Sequence, residues 1–390
     1  MKKSMGKKVR NHIPYDLGIS ILSNLPLKSL KRFGCVSKSW GILFENSNFL
    51  SVFSNNLISN HHSYYDDSSL LLQLTITKYD RSVYHSLYSL YGDSFINRVK
   101  LEWPNPFHLE KPHFYILDSG SINGNLCMYE NVNGVCRIVI WNPNINELIV
   151  IPRSPVEFVP PPSEVYIVLL HGFGYDHIQD DYKIIRVIVI GNQYKDIPKA
   201  VYWEIYSLKR NSWKTLHMDM PPCGFDTTGE RIYIFGMCHW IHRSSYINKD
   251  DPYLVSFNLN EEIFNTTLIP LFMDANLNHE YFSTQLVILN GSIATISWYD
   301  GTTTFYISIL GELGVKESWI NLFIVGPLSC VDRPIGIGKE GDIFFRKQDG
   351  ELILFDLRKN VISELGIKGC YHSQIVILKE SFLQIGGISL

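Results

Sequence analysis

The sequence predicts a mainly β chain, in which a small all-α domain at the N-terminus is followed by a kelch-like β-propeller. Apolar residues recur at helical spacing near the N-terminus and at period two over the rest of the chain. Aromatic residues make up 13% of the sequence, and β-branched runs are common, which favours sheets. Strand–turn–strand segments also repeat at intervals near those of propeller blades.

The N-terminal pattern predicts three or four short helices between Pro14 and Leu57. Pro14 and Pro26 suit first helical positions, where the missing backbone N–H costs nothing. Ser37 suits the N-cap of a third helix, and a fourth is predicted over roughly 49–57. Because so few short helices bury only a small core, this region is expected to need a partner or a neighbouring domain.

The β region contains a repeat in which a strand ends in a polar turn and a second strand follows. Its copies are marked by Trp141, Tyr206, Phe257, Ile307 and Phe355. The intervals are close to 50 residues, apart from the first, which contains a proline-rich loop, and a weaker copy lies at 77–84. Six copies predict six blades, with seven blades as one alternative and a large β-sandwich as another.

These patterns divide the chain into a helical domain over residues 8–58, a linker over 59–69 and a propeller domain over 70–386. The linker coincides with a polar segment from Asn60 to Ser69. Since the period-two pattern starts only after this segment, the two domains are expected to share few core contacts.

Charge and cysteine usage predict the compartment and exclude some partners. The formal net charge is −3, so no strong positive field predicts nucleic-acid binding. The seven cysteines are scattered and contain no CxxC pair, which is typical of buried thiols in a reducing compartment. The basic start of the chain has no apolar segment behind it, and no apolar run is long enough to span a bilayer. The sequence therefore predicts a cytoplasmic or nuclear protein without a membrane partner.

Three N-terminal segments together resemble a plant F-box: Ile13-Pro-Tyr-Asp-Leu17, Ile21-Leu-Ser-Asn-Leu-Pro-Leu-Lys-Ser-Leu30 and Arg32-Phe-Gly-Cys-Val-Ser-Lys-Ser-Trp40. The rest is similar to the F-box-associated interaction domain of the plant F-box/kelch group, S-locus type, at Ile122-Asn-Gly-Asn-Leu126, Trp141-Asn-Pro143 and Gly314-Val-Lys-Glu-Ser-Trp319. The resemblance implies a non-catalytic substrate-recognition subunit of an SCF-type (Skp-cullin-F-box) E3 ubiquitin ligase. Its F-box would dock on a Skp-type adaptor and, through it, a cullin, while the propeller would hold a protein substrate for ubiquitination.

Ten apolar residues form the candidate adaptor-binding set: Ile13, Pro14, Leu17, Ile21, Leu22, Leu25, Pro26, Leu30, Val36 and Trp40. The first seven present more apolar surface than short helices can hide, and large exposed apolar patches usually mark interfaces. Leu30, Phe33, Val36 and Trp40 are also expected to form the internal core, with Trp40 shared with the adaptor. The alternative is that all of these residues pack against the β domain.

The helical segment departs from the F-box pattern at three positions. Ser20 replaces the usual acidic residue, and Gly18 lies inside the first helix, where glycine costs about 1 kcal/mol relative to alanine. Gly34 stands where a basic residue is common and is predicted to be a helix C-cap. These differences concern the strength of adaptor binding.

Several constellations that could carry chemistry have a structural interpretation instead. Gly336-Ile-Gly-Lys-Glu-Gly341 matches GxGxxG, but a strand follows it where a dinucleotide site needs a helix. His239 and His242 would face opposite sides of a strand and lack further metal ligands. The cluster of Asp176, Asp180 and Asp181 resembles a hairpin turn. The sequence therefore predicts no catalytic residues, no cofactor and no metal.

Substrate contacts are expected from loops on one face of the propeller, because a rigid scaffold positions variable loops there. The candidate loops are the insertions at 107–119, 152–164, 191–199 and 244–251. Four tryptophans near equivalent blade positions, Trp141, Trp213, Trp240 and Trp319, are predicted to pack between blades. The runner-up function is a non-catalytic propeller that binds a glycan or small ligand, and a propeller hydrolase with paired carboxylates comes third.

Overall fold

The chain forms two compact units, residues 1–61 and residues 62–390. The computed structural model describes residues 15–25, 27–44, 46–59, 68–77, 83–92, 95, 97–109, 112, 114–132, 135–156, 164–192, 200–217, 231–242, 252–270, 282–299, 301–339, 341–379, 381 and 384–385. The first strand begins at Ser68, two residues before the predicted start of the propeller domain.

The first unit contains the four predicted helices, α1 (Tyr15–Leu22), α2 (Leu27–Val36), α3 (Lys38–Phe44) and α4 (Ser47–Ser59). Ser37 directly precedes α3, as predicted. Asn46 caps α4, because its side-chain oxygen accepts a hydrogen bond of 2.9 Å from the backbone N–H of Asn48. The predicted helix starts at Pro14 and Pro26 lie outside the described residues. The longest described helix has 13 residues, and none is long and apolar enough to cross a membrane.

The core of the helical unit comes from all four helices and includes three phenylalanine rings of α3 and α4. Its buried apolar residues are Ile19, Leu22, Leu30, Phe44, Phe49 and Phe53. The Phe49 ring lies 5.2 Å from that of Phe44 and 6.2 Å from that of Phe53. The prediction of Leu30 in the core is confirmed.

The prediction that Phe33, Val36 and Trp40 form the core is wrong, because all three are exposed. Val36 is the last residue of α2 and is 85% exposed, while the rings of Phe33 and Trp40 contact each other edge to face at 5.5 Å. Their place inside is taken by the phenylalanines of α3 and α4. Helical spacing alone could not distinguish these two sets of aromatic residues.

Gly34 is not a helix C-cap, since α2 continues to Val36. A Cβ atom at this position would lie 3.4 Å from the Phe44 ring and 3.6 Å from the Gly41 backbone. The glycine therefore allows α2 to approach α3 closely.

The second unit is built from six four-stranded antiparallel sheets, which are the blades of a propeller. The strands of blades one to three are β1 (Ser68–Thr77), β2 (Val83–Tyr91), β3 (Asn97–Leu101), β4 (Tyr115–Ile116), β5 (Leu126–Val132), β6 (Val135–Asn142), β7 (Glu147–Val150), β8 (Glu164–Asp176), β9 (Asp181–Asn192), β10 (Ala200–Ser207) and β11 (Ser212–Leu216). The strands of blades four to six, and the last strand of the chain, are β12 (Arg231–Ile234), β13 (Met237–His242), β14 (Tyr253–Asn258), β15 (Ile263–Leu268), β16 (Phe282–Leu289), β17 (Ser292–Tyr299), β18 (Phe305–Leu310), β19 (Trp319–Val325), β20 (Val331–Ile337), β21 (Ile343–Lys347), β22 (Glu351–Asp356), β23 (Val361–Lys368) and β24 (Gln374–Lys379).

Both ends of the β region build the first blade. The last strand, β24, pairs antiparallel with β1 and gives the sheet order β24-β1-β2-β3. The register runs from Ser68 opposite Lys379 to Gln73 opposite Gln374. This pairing closes the ring, so the six-bladed prediction is confirmed over the seven-bladed and sandwich alternatives.

The sequence repeat corresponds to the turn between the third and fourth strands of a blade. After Trp141, Tyr206, Phe257 and Phe355, the fifth following residue has a positive φ: Asn146, Asn211, Glu262 and Asn360, at 53°, 50°, 57° and 56°. The residue directly after each aromatic accepts backbone N–H groups of the turn on its side-chain oxygen. The repeat is therefore an aromatic core residue followed by a side-chain-capped turn.

Two copies deviate from this pattern. In blade five the third and fourth strands are joined by a longer connection that contains a 3-10 turn over Lys316–Ser318. The weaker copy at 77–84 joins β1 to β2, which are the second and third strands of their blade, so its assignment as an equivalent hairpin is wrong.

The apolar core lies between neighbouring blades. The four predicted tryptophans confirm this arrangement. Trp240 stacks on Trp203 of the preceding blade at 5.9 Å, and the indole N–H of Trp319 donates to the carbonyl of Leu268 at 3.0 Å. Trp213 donates to the carbonyl of Pro152 at 2.8 Å, and Trp141 is buried among residues of the first two blades.

Strand order defines two faces of the propeller. The inner strands β24, β4, β8, β12, β16 and β20 each pair with an antiparallel second strand. We name the face where the inner strands begin the loop face, and the face where they end the turn face. Connections from one blade to the next, and connections from a second to a third strand, start and end at the loop face. Connections from an inner to a second strand, and from a third to a fourth strand, start and end at the turn face.

Candidate functional site

The helical unit has exposed apolar side chains on at least three of its helices. Leu17 and Ile21 are one helical turn apart on α1, and each is 52% exposed. Val36, Trp40 and Ile42 are exposed on α2 and α3. Exposed apolar residues scattered singly are normal, whereas such a concentration within one small unit is typical of an interaction surface.

The ten candidate adaptor-binding residues divide into three groups. Leu17, Ile21, Val36 and Trp40 are exposed, and Leu25 is half-buried. Leu22 and Leu30 are buried and stabilise the helical unit itself. Ile13, Pro14 and Pro26 lie outside the described residues. The structure therefore brings exposed members together on α1 but places two other candidates inside.

The loop face collects all four insertions that the sequence singled out. Residues 102–114 and 151–163 connect one blade to the next, while 193–199 and 243–252 connect second to third strands. By the same strand order, the connections at 217–230 and 269–281 also start and end at this face. Most turns on the opposite face are short. The connections that start and end at the loop face are thus longer than most turns at the opposite face.

A buried ion pair supports this side in blade three. The Arg186 guanidinium donates to Glu204 Oε2 at 2.8 Å and 3.0 Å, and both side chains are buried. Ser154 donates to the other carboxylate oxygen at 2.5 Å, and the Trp213 ring lies 3.7 Å beneath the guanidinium carbon. Because Ser154 precedes the loop at 157–163, the ion pair fixes the base of that loop.

The residues with possible chemistry are used structurally, as predicted. Asp176 Oδ1 accepts the backbone N–H groups of Ile178 and Gln179, and its other oxygen pairs with buried Lys183 at 2.8 Å. These bonds hold the pKa of Asp176 below its usual value despite the opposing effect of burial. The GxGxxG segment joins β20 to β21 as a hairpin.

The two histidines of β13 are buried and separated. His239 contacts the Ser256 hydroxyl at 2.8 Å, whereas the His242 ring stacks on Tyr253 at 4.6 Å. Burial lowers the pKa of His239 to about 4 and also lowers that of His242. Across the described residues, no group of three or more His, Cys, Asp or Glu side chains could hold a metal ion.

Each end of the propeller axis opens into a cavity. The one at the loop face has a volume of about 90 Å³, and its described charged residues are Arg231 and Arg333. The one at the turn face is larger, about 300 Å³, and contains several isoleucines together with Lys379 and His177. The sequence analysis did not single out the two arginines. They come from blades four and six, so only the closed ring brings them together.

The comparisons with known proteins agree with this architecture. Residues 11–51 match the F-box domain, and residues 96–381 match the F-box associated beta propeller domain. The F-box/kelch-repeat protein At3g23880 of Arabidopsis thaliana is 24% identical over 372 residues, which covers 93% of this chain and 90% of the relative. The F-box protein CPR1 of the same plant is 24% identical, with coverage of 96% and 89%.

Among solved structures, TolB from Acinetobacter baumannii superposes with a TM-score of 0.48 at 10% identity, covering 85% of this chain and 72% of TolB. The family match extends over most of the propeller, and the helical match covers the N-terminal unit. The chain therefore belongs to the family of plant F-box proteins that carry an F-box associated beta propeller domain.

Proposed function

We propose that this protein is the substrate-recognition subunit of an SCF-type E3 ubiquitin ligase. In this proposal the helical unit docks on a Skp-type adaptor, which connects it to a cullin, and the propeller holds a protein substrate. The observation that carries the proposal is the exposed apolar surface on a helical unit that matches the F-box domain. Covering Leu17 and Ile21 would remove apolar area from water, at about 25 cal/mol per Å².

The arrangement of the propeller supports the substrate-holding half of the proposal. Its long connections lie on one face, and they start from strands that are locked by buried side chains such as Arg186 and Glu204. A closed ring with rigid blades can present such loops without rearranging. We therefore assign the loop face to substrate binding.

Ubiquitin transfer itself is assigned to the other subunits of the ligase, so this chain is proposed to be non-catalytic. Asp176 and Asp181, two carboxylates of the cluster that the hydrolase alternative would draw on, are engaged in turn and ion-pair contacts. Cytoplasmic or nuclear localisation is part of the same proposal. It is supported by the six described cysteines, all of which are free thiols.

The test is co-purification of the tagged full chain from plant cells. Leu17→Glu/Ile21→Glu places charges in the proposed interface while keeping good helix formers at exposed positions. Ile324→Glu is the matched control, because Ile324 is 64% exposed on β19 of the propeller. Wild type and the control should recover adaptor and cullin, and the double variant should lose both at least tenfold.

Circular dichroism of the three proteins checks that the helices remain folded. Retention of the adaptor by the folded double variant would contradict docking through α1. If wild type recovers no adaptor but binds an oligosaccharide or small ligand, the alternative function of a ligand-binding propeller replaces the ligase proposal.

A further inference from the structure

The turn-face cavity lies on the propeller axis and is lined by residues from all six blades. Its volume of about 300 Å³ is at the lower end of the range for small-molecule sites in proteins. Much of its wall is formed by aliphatic side chains that are buried or half-buried: Ile122, Val287, Ile288, Ile337, Ile375 and Ile377. A wall of this kind favours an apolar ligand, because apolar surface on both sides is removed from water.

The lysine and the histidine of this cavity lie toward the turn face. Lys379 is the last residue of β24, so it is nearer the turn face than Ile377 on the same side of the strand. His177 is exposed in the turn between β8 and β9, and its Nε2 lies 3.3 Å from the Tyr233 hydroxyl, which donates to the carbonyl of Tyr175 at 2.5 Å. The deeper part of the cavity is therefore largely apolar, and binding there does not depend on the charge of Lys379 or His177.

The mouth of the cavity carries an exposed aromatic ring. Phe235 lines the cavity and is 76% exposed. With Gly236 it forms the two-residue turn that joins β12 to β13, and its φ is 54°. This left-handed backbone is uncommon for residues other than glycine, asparagine and aspartate, and it is strained for a bulky side chain. Because the exposed ring and the strained backbone both cost free energy, folding alone does not explain a phenylalanine at this position.

Two other blades have the same turn at the equivalent place, between the inner and the second strand. Blade two has Asn123-Gly124, with φ of 50° and 81°, and blade five has Asn290-Gly291, with φ of 44° and 75°. Asn-Gly is the pair expected here, since both residues of such a turn have a positive φ. Blade four keeps the glycine, at a φ of 76°, but has Phe235 in place of the asparagine. Phe235 is thus the exception among three equivalent turns, and residues in unfavourable conformations cluster at binding sites.

We propose that the turn-face cavity binds a compact, uncharged small molecule with an apolar ring system. The isoleucines enclose this ligand, and the Phe235 ring contacts it at the mouth, where aromatic rings pack on other rings. An apolar cavity of about 150 Å³ is enough for benzene, so about twice that volume has room for two fused rings. The site lies on the face opposite the loop face, and it goes beyond the proposed function without depending on it.

The experiment uses the full chain with indole as the probe, followed by saturation-transfer difference NMR at increasing indole concentration. Phe235→Asn removes the ring and creates the pair found in blades two and five. Ile178→Asn is the matched control, because Ile178 is 78% exposed in a turn of the same face and is not among the residues that line the cavity. The control should bind indole as wild type does, whereas Phe235→Asn should raise the dissociation constant of indole at least fivefold.

Thermal unfolding of the same proteins gives a second readout, with the opposite sign. Phe235→Asn should raise the unfolding midpoint of the propeller by about 1–2 °C, because asparagine adopts a left-handed backbone at a lower cost. A lower midpoint would show that the ring is kept for the fold. That result would overturn the proposal, as would indole binding by Phe235→Asn that is as tight as that of wild type.

Glucose in place of indole tests the chemical class of the ligand, since it is a ring covered with hydroxyl groups. Wild type should give no saturation transfer to glucose at the same concentration, and transfer to glucose but not to indole would overturn the apolar assignment. Adaptor co-purification separates this inference from the proposed function. Indole binding by a wild type that recovers no adaptor would refute the ligase function and leave this site standing, and adaptor recovery without indole binding would refute this site alone.

Discussion

The helical unit and the propeller differ in where they place apolar side chains. Leu17, Ile21 and Val36 of the helical unit are more than half exposed, although its core has few members. The propeller buries long apolar runs between adjacent blades, in clusters such as Ile184, Ile188 and Phe173. The difference supports the proposal that another protein covers the helices, whereas the propeller buries its apolar residues within its own blades.

The two units also differ in how they are closed. Short helices depend on a few tertiary contacts, because isolated helices of this length are marginal in water. The propeller ring is closed by backbone hydrogen bonds, since β24 returns to pair with β1. We therefore expect perturbations of the two units to have separate effects, and the predictions below test this separation.

The largest effect is expected from Glu204→Ala in the propeller. This substitution leaves the Arg186 guanidinium buried without the carboxylate that it contacts at 2.8 Å. Breaking a buried ion pair by removing one partner costs about 3–5 kcal/mol. Urea unfolding followed by tryptophan fluorescence measures the change. Glu364→Ala, which removes an exposed partner of Lys347, should leave the unfolding free energy unchanged within error.

A loss of similar size is expected from Phe49→Ala, but confined to the helical unit. Phe49 is 1% exposed between two other phenylalanine rings, and removing such a ring costs about 3–5 kcal/mol. Because the unit is small, this loss should abolish its helical circular dichroism signal and its adaptor binding. The midpoint of the unfolding transition of the propeller should not change. Ser51→Ala, at an exposed position of the same helix, is the control. A shift of the propeller transition by Phe49→Ala would argue against separate units.

A pH-dependent effect is expected in the propeller from Asp118. Its pKa is raised to about 7 by burial, whereas an unfolded aspartate ionises near pH 4. The native state therefore holds this proton more tightly, and the stability that it contributes is lost as the pH rises through about 7. Between pH 5 and 8, wild type should lose on the order of 2–3 kcal/mol relative to Asp118→Asn. If the unfolding free energies of the two proteins changed by the same amount between pH 5 and 8, the raised pKa would be refuted.

The smallest effect is expected from Gly18→Ala in α1. A Cβ atom at this position would meet nothing within 4 Å, so the substitution gains helix propensity without a clash. We expect the helical unit to gain about 0.5–1 kcal/mol, measured by its circular dichroism transition. Gly34→Ala should gain less, because its Cβ would contact the Phe44 ring. A loss of stability for Gly18→Ala would show that α1 is packed differently.

The parts of the fold that could be predicted depend on local rules. The capped turns after Trp141 and Phe355 need only neighbouring residues, so their repeat was visible in the sequence and revealed the blades. The short inner strand β4 lacks a readable period, because it contains only two residues. It becomes a strand through pairing with β5.

The candidate sites were predictable to different degrees. The helical pattern identified Leu17 and Ile21, but it could not show that Leu22 points inward and Trp40 outward. Both faces of these helices are apolar, and periodicity does not distinguish a core face from a binding face. Arg231 and Arg333 could not be paired from the sequence, since about a hundred residues separate them and only ring closure brings them together.

The most direct test of the separation between the two units is the fragment that starts at Ser68. The fragment keeps the strand pairing that closes the ring, because β1 and β24 both lie entirely within it. The account predicts a soluble fragment that unfolds cooperatively within a few degrees of the propeller transition of the full chain and does not bind the adaptor. An insoluble or non-cooperative fragment, or one that still binds the adaptor, would contradict it.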